Sequence, residues 1–137
     1  MKRMISVILA IAMMLAIFGV PVNAAQSNEA SPRYIETKGA NTYLSINDTG
    51  KVTISINCTG KTDVTKISVT TYLEYRIGSA WYRALVNPWS FTQNGSCLVQ
   101  SFSGQISTSG TFRARSVFTV TGSTVETITV TSAYIEH

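Results

Sequence analysis

The chain has 137 residues, of which 11 are basic and 7 are acidic, giving a formal net charge of +4. This length fits one domain that follows an N-terminal leader, and such a domain can bury a core without metals or many disulfides. A net charge this small does not predict nucleic-acid binding, which requires a clustered basic face.

Residues 1–24 have the layout of a secretory signal peptide, with a basic head, an apolar run and small residues before the cleavage position. The apolar run of about 17 residues is at the lower limit for a membrane span, so an anchor is the alternative. Pro21 and the cleavage site after it favour cleavage. Loss of Lys2 and Arg3 leaves 9 basic residues against 7 acidic ones. We therefore predict a secreted, extracellular product without a stable membrane anchor.

Residues 25–33 are small and polar, which predicts a flexible N-terminal arm before a domain at residues 34–137. In that domain, apolar and polar residues alternate as in strands, and no helical period appears. Turn-forming sequences recur about every 8 to 12 residues, the spacing expected of a sandwich. The pattern predicts an all-β, antiparallel two-sheet sandwich of seven or eight strands. The candidate strands are 42–47, 51–57, 65–77, 80–86, 89–92, 97–106, 111–121 and 125–135.

The only two cysteines, Cys58 and Cys97, lie in the part predicted to be exported. An even number of cysteines in an oxidising compartment predicts a disulfide, and two free thiols are the alternative. Neither cysteine has a nearby His or acidic cluster, so the pair does not form a zinc-ligand set.

Two segments carry a resemblance to a known family. Residues 52–58 look like the second strand of an immunoglobulin- or fibronectin-like sandwich, and residues 109–114 look like its sixth. Phe112 stands where the family has its corner tyrosine, and no cysteine lies near Ala114, the usual partner position. The leader is also similar in style to those of small secreted Gram-positive bacterial proteins of unknown function.

The resemblance also implies a pairing for the cysteines. In the immunoglobulin arrangement the second strand lies antiparallel to the fifth. Cys58 closes the second candidate strand, and Cys97 opens the strand that corresponds to the fifth. The resemblance therefore implies a Cys58–Cys97 bridge within one sheet.

Residues that could support catalysis are sparse. The single histidine is His137, the last residue, so neither a catalytic triad nor a histidine metal site is predicted. The seven carboxylates are scattered and are expected to be solvated surface groups. We predict a protein that is not an enzyme and has no metal and no cofactor.

A cluster of aromatic and basic residues is the candidate ligand site. Aromatic rings stack on sugars and anchor protein interfaces, whereas arginines suit an anionic polymer. Burial of the tryptophans in the core is the alternative. Arg113 and Arg115 are expected to share an outer sheet face with part of this cluster. The candidate ligand-binding residues are Tyr72, Arg76, Trp81, Tyr82, Arg83, Trp89 and Phe91.

The sequence thus predicts a secreted, non-enzymatic binding domain. Its partner would be an extracellular polymer or protein, namely a carbohydrate, a cell-wall polymer or another polypeptide. The alternatives are a self-associating coat or matrix protein, in which edge strands of identical copies pair, and a secreted toxin or inhibitor. A homo-oligomer therefore stays open.

Overall fold

The computed structural model describes residues 34–137, which form one compact unit. The predicted signal peptide and N-terminal arm lie outside the described residues. Within residues 34–137 no helix is long and apolar enough to cross a membrane. The secondary structure of this part is strand and turn only, so the all-β prediction is confirmed.

Nine strands follow one another along the described chain. They are β1 (Thr37–Ile46), β2 (Lys51–Gly60), β3 (Lys66–Ile77), β4 (Ala80–Arg83), β5 (Trp89–Asn94), β6 (Cys97–Gln105), β7 (Thr111–Thr121), β8 (Val125–Thr131) and β9 (Ile135–Glu136). The last predicted strand is divided into β8 and β9, and the first begins five residues earlier than predicted.

The strands form two antiparallel sheets, as predicted. The smaller sheet has the order β1-β2-β6, and the larger has the order β4-β3-β7-β8. In the larger sheet, β5 pairs with the first half of β3 while β4 pairs with its second half. Likewise, β8 pairs with the second half of β7, and β9 pairs with its start. Each central strand of the larger sheet therefore has two short strands along its outer side.

The core lies between the sheets because alternate residues of the central strands are apolar. On β2 the side chains of Val52, Ile54, Ile56 and Cys58 are buried, as the alternation predicts. On β7 the buried residues include Phe112 and Phe118, which are among the largest fully buried side chains. Burial of such a side chain stabilises the fold by about 1.5–3 kcal/mol.

Two hydroxyl groups interrupt the apolar core at the centre of the larger sheet. Thr71 on β3 and Ser116 on β7 are register partners, and both are fully buried. Their hydroxyl oxygens lie 2.8 Å apart, so they hydrogen-bond to each other. A buried polar group that has a partner avoids most of its desolvation cost. This pair explains how polar residues occupy two inward positions.

Two carboxylates attach the first strand to the larger sheet. The Glu126 side chain on β8 accepts hydrogen bonds from the backbone N–H groups of Ile35, Glu36 and Thr37, at 2.8 to 3.0 Å. Glu36 itself is buried and accepts the N–H and hydroxyl of Thr124. The expectation that all carboxylates are solvated is therefore wrong for Glu36. These hydrogen bonds stabilise residues 35–37 against the larger sheet, which explains why β1 begins before the predicted residue 42.

The predicted disulfide does not form, although the predicted strand neighbours do. β2 and β6 are antiparallel partners, but Cys58 lies opposite Leu98, and Cys97 lies opposite Thr59. The register is thus one residue away from a direct cysteine pair. Because successive side chains point to opposite faces of a sheet, Cys58 is buried in the core and Cys97 is exposed on the outer face. The prediction of a Cys58–Cys97 disulfide is therefore wrong, and both cysteines are free thiols.

This arrangement predicts a large difference in thiol reactivity. Burial raises the pKa of Cys58 to about 11, with smaller contributions from Cys97 and Glu126, and the thiolate is the reactive form. In the folded protein at neutral pH, iodoacetamide should modify Cys97 only, and Cys58 should react after unfolding. Intact mass spectrometry counts the adducts. A Cys97→Ser variant should take up no label while folded. A chain that takes up label only after reduction would contradict the two free thiols.

Candidate functional site

The candidate site lies on the outer face of the larger sheet, at the end formed by β4. Alternation directs the even-numbered residues of β3 outward, while the odd-numbered residues from Ile67 to Tyr75 face the core. The register then brings outward residues of β4 and β7 beside those of β3. We call this surface the arginine face and define it by Tyr72, Glu74, Arg76, Trp81, Arg83, Arg113 and Arg115.

Glu74 is the centre of the arginine face. It pairs across β3–β4 with Arg83 and across β3–β7 with Arg113. Its two carboxylate oxygens accept hydrogen bonds from Nε of Arg113 and Nε of Arg115, each at 2.8 Å. Only 6% of Glu74 is exposed. The expectation of a solvated carboxylate is therefore wrong here as well, because two guanidinium groups compensate its burial.

The ionisation of Glu74 follows from these contacts. Burial favours the neutral acid, but the hydrogen bonds and positive charges of Arg115 and Arg113 outweigh it and lower the pKa of Glu74. The carboxylate is therefore charged at neutral pH. Both arginines use Nε for Glu74, and their terminal Nη groups make no hydrogen bond within residues 34–137. Those Nη groups are available to a ligand.

Aromatic rings support the guanidinium groups. The Cζ atom of Arg113 lies 4.2 Å from the centroid of the Trp81 ring. The Cζ atoms of Arg83 and Arg115 lie 4.6 and 4.5 Å from the centroid of the Tyr72 ring. Cation–π contacts of this kind each stabilise the arrangement by about 0.5–1 kcal/mol at exposed sites. The rings therefore favour these positions of the guanidinium groups in the absence of a ligand.

The arginine face carries a local excess of positive charge. Arg76, Arg83, Arg113 and Arg115 share this face with one carboxylate, Glu74, so its residues carry a net charge of +3 within the described part of the chain. The side chain of Arg83 makes no hydrogen bond and no ion pair within the part of the chain that the structure describes. Guanidinium groups bind carboxylate, phosphate and sulfate oxygens through paired N–H donors. Chemically, this surface is suited to an anion with several oxygen atoms.

The sequence-predicted site residues fall into two groups. Tyr72, Trp81 and Arg83 meet on the arginine face, and Arg76 is the register partner of Trp81. Tyr82 instead pairs with Tyr75, which faces the core side of the sheet, and their ring centroids are 6.0 Å apart. Tyr82 is therefore half exposed, but away from the arginine face.

Trp89 and Phe91 pack toward the core. The Trp89 ring stacks on Phe102 of the opposite sheet, with centroids 6.0 Å apart and an interplanar angle of 15°. Both residues are partly buried against the core cluster. In the pairing of β5 with β3, Trp89 lies opposite Thr71 and Phe91 lies opposite Val69, and both of these β3 residues face the core. Core packing, the alternative left open for the tryptophans, thus describes Trp89.

The rest of the outer face of this sheet carries hydroxyl groups. Ser68 and Thr70 of β3 hydrogen-bond to Thr92 and Ser90 of β5, at 3.1 and 3.4 Å. The row of Ser68 continues through Thr119 of β7 to Thr127 of β8, whereas the row of Thr70 is interrupted by Val117 before it reaches Thr129. A polymer that follows the strand direction would therefore meet first guanidinium groups and then hydroxyl groups.

A cleft of about 490 Å³ opens near the same end of the domain. Its apolar lining includes Tyr75, Leu85, Ile106 and Phe112, and its polar lining includes three consecutive hydroxyl residues, 107–109. Arg83 also contributes to this lining. Among residues 34–137, no group of three or more His, Cys, Asp or Glu residues is arranged to hold a metal ion.

Comparison of the chain with protein-family models, with curated proteins and with solved structures finds no match. Any functional assignment therefore depends on the geometry of the site.

Replacement of Glu74 tests its role in the arginine face. Glu74→Gln removes the charge that accepts two guanidinium hydrogen bonds, each typically contributing about 1.5–3 kcal/mol. Because both arginines are partly solvated, we expect a smaller loss, about 1–2 kcal/mol in the free energy of unfolding. Urea denaturation at pH 7 measures it. Glu136→Gln, an exposed carboxamide substitution on β9, is the control and should leave stability unchanged.

The same variant should reveal the pH dependence of this contribution. A carboxyl group with a lowered pKa stabilises the folded state above its unfolded pKa, and this stabilisation is lost as pH falls through the folded pKa. The difference between wild type and Glu74→Gln should therefore be constant near neutral pH and should shrink below pH 4.5, the ordinary value for glutamate. A difference that persists unchanged in acid would show that Glu74 does not act through its charge.

Proposed function

We propose that the protein is a secreted, non-enzymatic binding domain whose arginine face takes an anionic extracellular polymer, such as an acidic glycan or a phosphate-bearing cell-wall polymer. One observation supports this above all. Four arginines share one outer sheet face; three of them are stacked on Tyr72 or Trp81, and Glu74 orients two of those three. A surface that only needed solvation would not have to order these side chains.

The combination of rings and guanidinium groups supports a carbohydrate-bearing anion. Aromatic faces stack on sugar rings, and guanidinium groups bind the charged substituents. Arg113 and Arg115 are two positions apart on β7, a spacing of about 7 Å along the strand. This spacing would let neighbouring charged groups of a polymer bind adjacent arginines.

The order of strands in the smaller sheet supports a more specific proposal about the fold family. In an immunoglobulin-like sandwich the second strand lies between the first and the fifth lettered strands, and β2 lies between β1 and β6 here. We therefore include an immunoglobulin- or fibronectin-like domain in the proposal. The departure is β5, which pairs with β3 of the other sheet and not with β6.

Arg83→Gln tests the charge-dependent part of the proposal. Arg83 has no ion pair within residues 34–137, so its loss leaves the bonds of Glu74 intact. We expect at least about tenfold weaker binding, since one hydrogen bond to a charged group contributes about 1.5 kcal/mol. Isothermal titration with wall teichoic acid, polygalacturonate, a sulfated glycan and a neutral glucan measures it.

Lys66→Gln is the matched control. It removes one charge from the same outer face, at the far end of β3, about 20 Å from Tyr72 by strand geometry. This variant should bind like wild type. Binding to the anionic polymers should also weaken as salt rises, because ions screen exposed charges. Equal effects of the two substitutions, or binding of none of the four polymers, would contradict the proposal.

The two tryptophans allow ligand contact to be located. Trp81 lies under Arg113 on the arginine face, whereas Trp89 stacks on Phe102. In a Trp89→Phe variant, an anionic polymer that binds should shift the emission of Trp81. In a Trp81→Phe variant, the same polymer should leave the emission of Trp89 unchanged. A shift that follows Trp89 would place the ligand elsewhere.

A further inference from the structure

The edge of the smaller sheet formed by β6 (Cys97–Gln105) has no blocking feature. Within residues 34–137, β6 pairs only with β2, so its other side is unpaired. Natural proteins usually protect such edges with charged residues, proline, bulges or short strands. β6 contains no charged residue and no proline, and its nine residues pair with β2 without a bulge.

The uncharged character extends beyond the strand. No charged residue lies between Arg83 and Arg113 in the sequence. β5, on the edge of the larger sheet, falls in the same stretch. The other long edge strands differ, because β1 contains Lys38 and β8 contains Glu126. The β6 edge therefore offers no charge that would repel a second copy of itself.

The backbone groups that point outward can be identified from the ladder ends. Gly60 N–H donates to Ser96 O at 2.7 Å, and Ile106 N–H donates to Gly50 O at 3.0 Å. In an antiparallel pair, directly opposite residues alternate between bonded and non-bonded pairs. Even-numbered residues of β6 therefore bond to β2. The odd-numbered residues direct N–H and C=O to the open edge: Cys97, Val99, Ser101, Ser103 and Gln105.

We infer that β6 pairs with β6 of a second copy, antiparallel and centred on Ser101, to form a homodimer with a continuous six-stranded sheet. This register sets Ser101 opposite its own copy, Val99 opposite Ser103 and Cys97 opposite Gln105. It uses every outward N–H and C=O of the strand in both copies. A twofold axis midway between the two Ser101 residues gives each copy the same contacts, as closed dimers require.

The inference goes beyond the proposed binding function and does not depend on it. The arginine face lies on the other sheet, so edge pairing leaves it exposed in both copies. A dimer would present two arginine faces to one polymer, which raises avidity without any new contact.

The test combines solution mass with cysteine cross-linking. Multi-angle light scattering at a series of concentrations should show the wild-type mass rising with concentration toward twice the monomer mass. In a Cys97→Ser background, Ser101→Cys should form a disulfide-linked dimer. Hydrogen-bonded antiparallel partners have Cα atoms about 5.5 Å apart, within the range of about 4.4–6.8 Å that disulfides require. Ser55→Cys in the same background is the matched control.

Ser55 is exposed on the same outer face and is the register partner of Ser101, but it lies on the interior strand β2. It should therefore cross-link much less. Ser101→Pro removes an outward N–H and keeps the backbone bonds to β2, and it loses only the 3.2 Å side-chain hydrogen bond to Ser55. Val99→Lys places a charge at the edge. Both should be monomeric, with wild-type circular dichroism as the check of folding. A wild-type chain that is monomeric throughout, or equal cross-linking through Ser55→Cys and Ser101→Cys, would overturn the inference.

Discussion

The antiparallel pairing of β3 with β7 is the constraint on which both the core and the arginine face depend. This ladder runs from Lys66 opposite Thr121 to Tyr75 opposite Phe112. Its inward side supplies much of the core, and its outward side sets Arg113 and Arg115 beside Glu74. Because side chains alternate with a period of two, a slip of one residue would place arginines in the core. Core burial and the hydrogen bond between Thr71 and Ser116 therefore also fix the register of the binding surface.

Much of the fold follows from the sequence because this period is visible in it. The alternation of Val52, Ile54 and Ile56 marks one buried face, and that of Phe112, Ala114 and Phe118 marks the facing one. Turn residues such as Gly50, which has φ 81°, delimit the strands. The parts that were predicted less well are set by contacts between distant segments. β1 starts early because Glu126, about ninety positions away, binds its first N–H groups.

The candidate site could be predicted only in part for the same reason. Alternation places Tyr72 and Arg76 on one face, and the hairpin adds Arg83. It does not reveal which side of β4 or β5 faces inward, so both a core and a surface position stay open for Trp81 and Trp89. The central role of Glu74 depends on arginines about forty positions away, across a strand pair whose register no local pattern specifies. The prediction of a Cys58–Cys97 disulfide was wrong for a similar reason. The strands β2 and β6 were paired correctly, but their register differs by one residue from the one that a disulfide requires.

The uneven distribution of charge gives the molecule one surface suited to anion binding and another suited to pairing with a second copy. Arginines concentrate on β4 and β7 at one end of the larger sheet, whereas β5 and β6 carry no charge at all. An anion would be attracted to the first surface, and long-range repulsion between like-charged copies would be weakest at the second. Because β6 belongs to the sheet that does not carry the arginines, assembly and ligand binding would not compete for the same backbone or side chains. A neutral edge and a charged face can therefore act together in one small domain, with pairing at the edge setting how many faces a polymer meets.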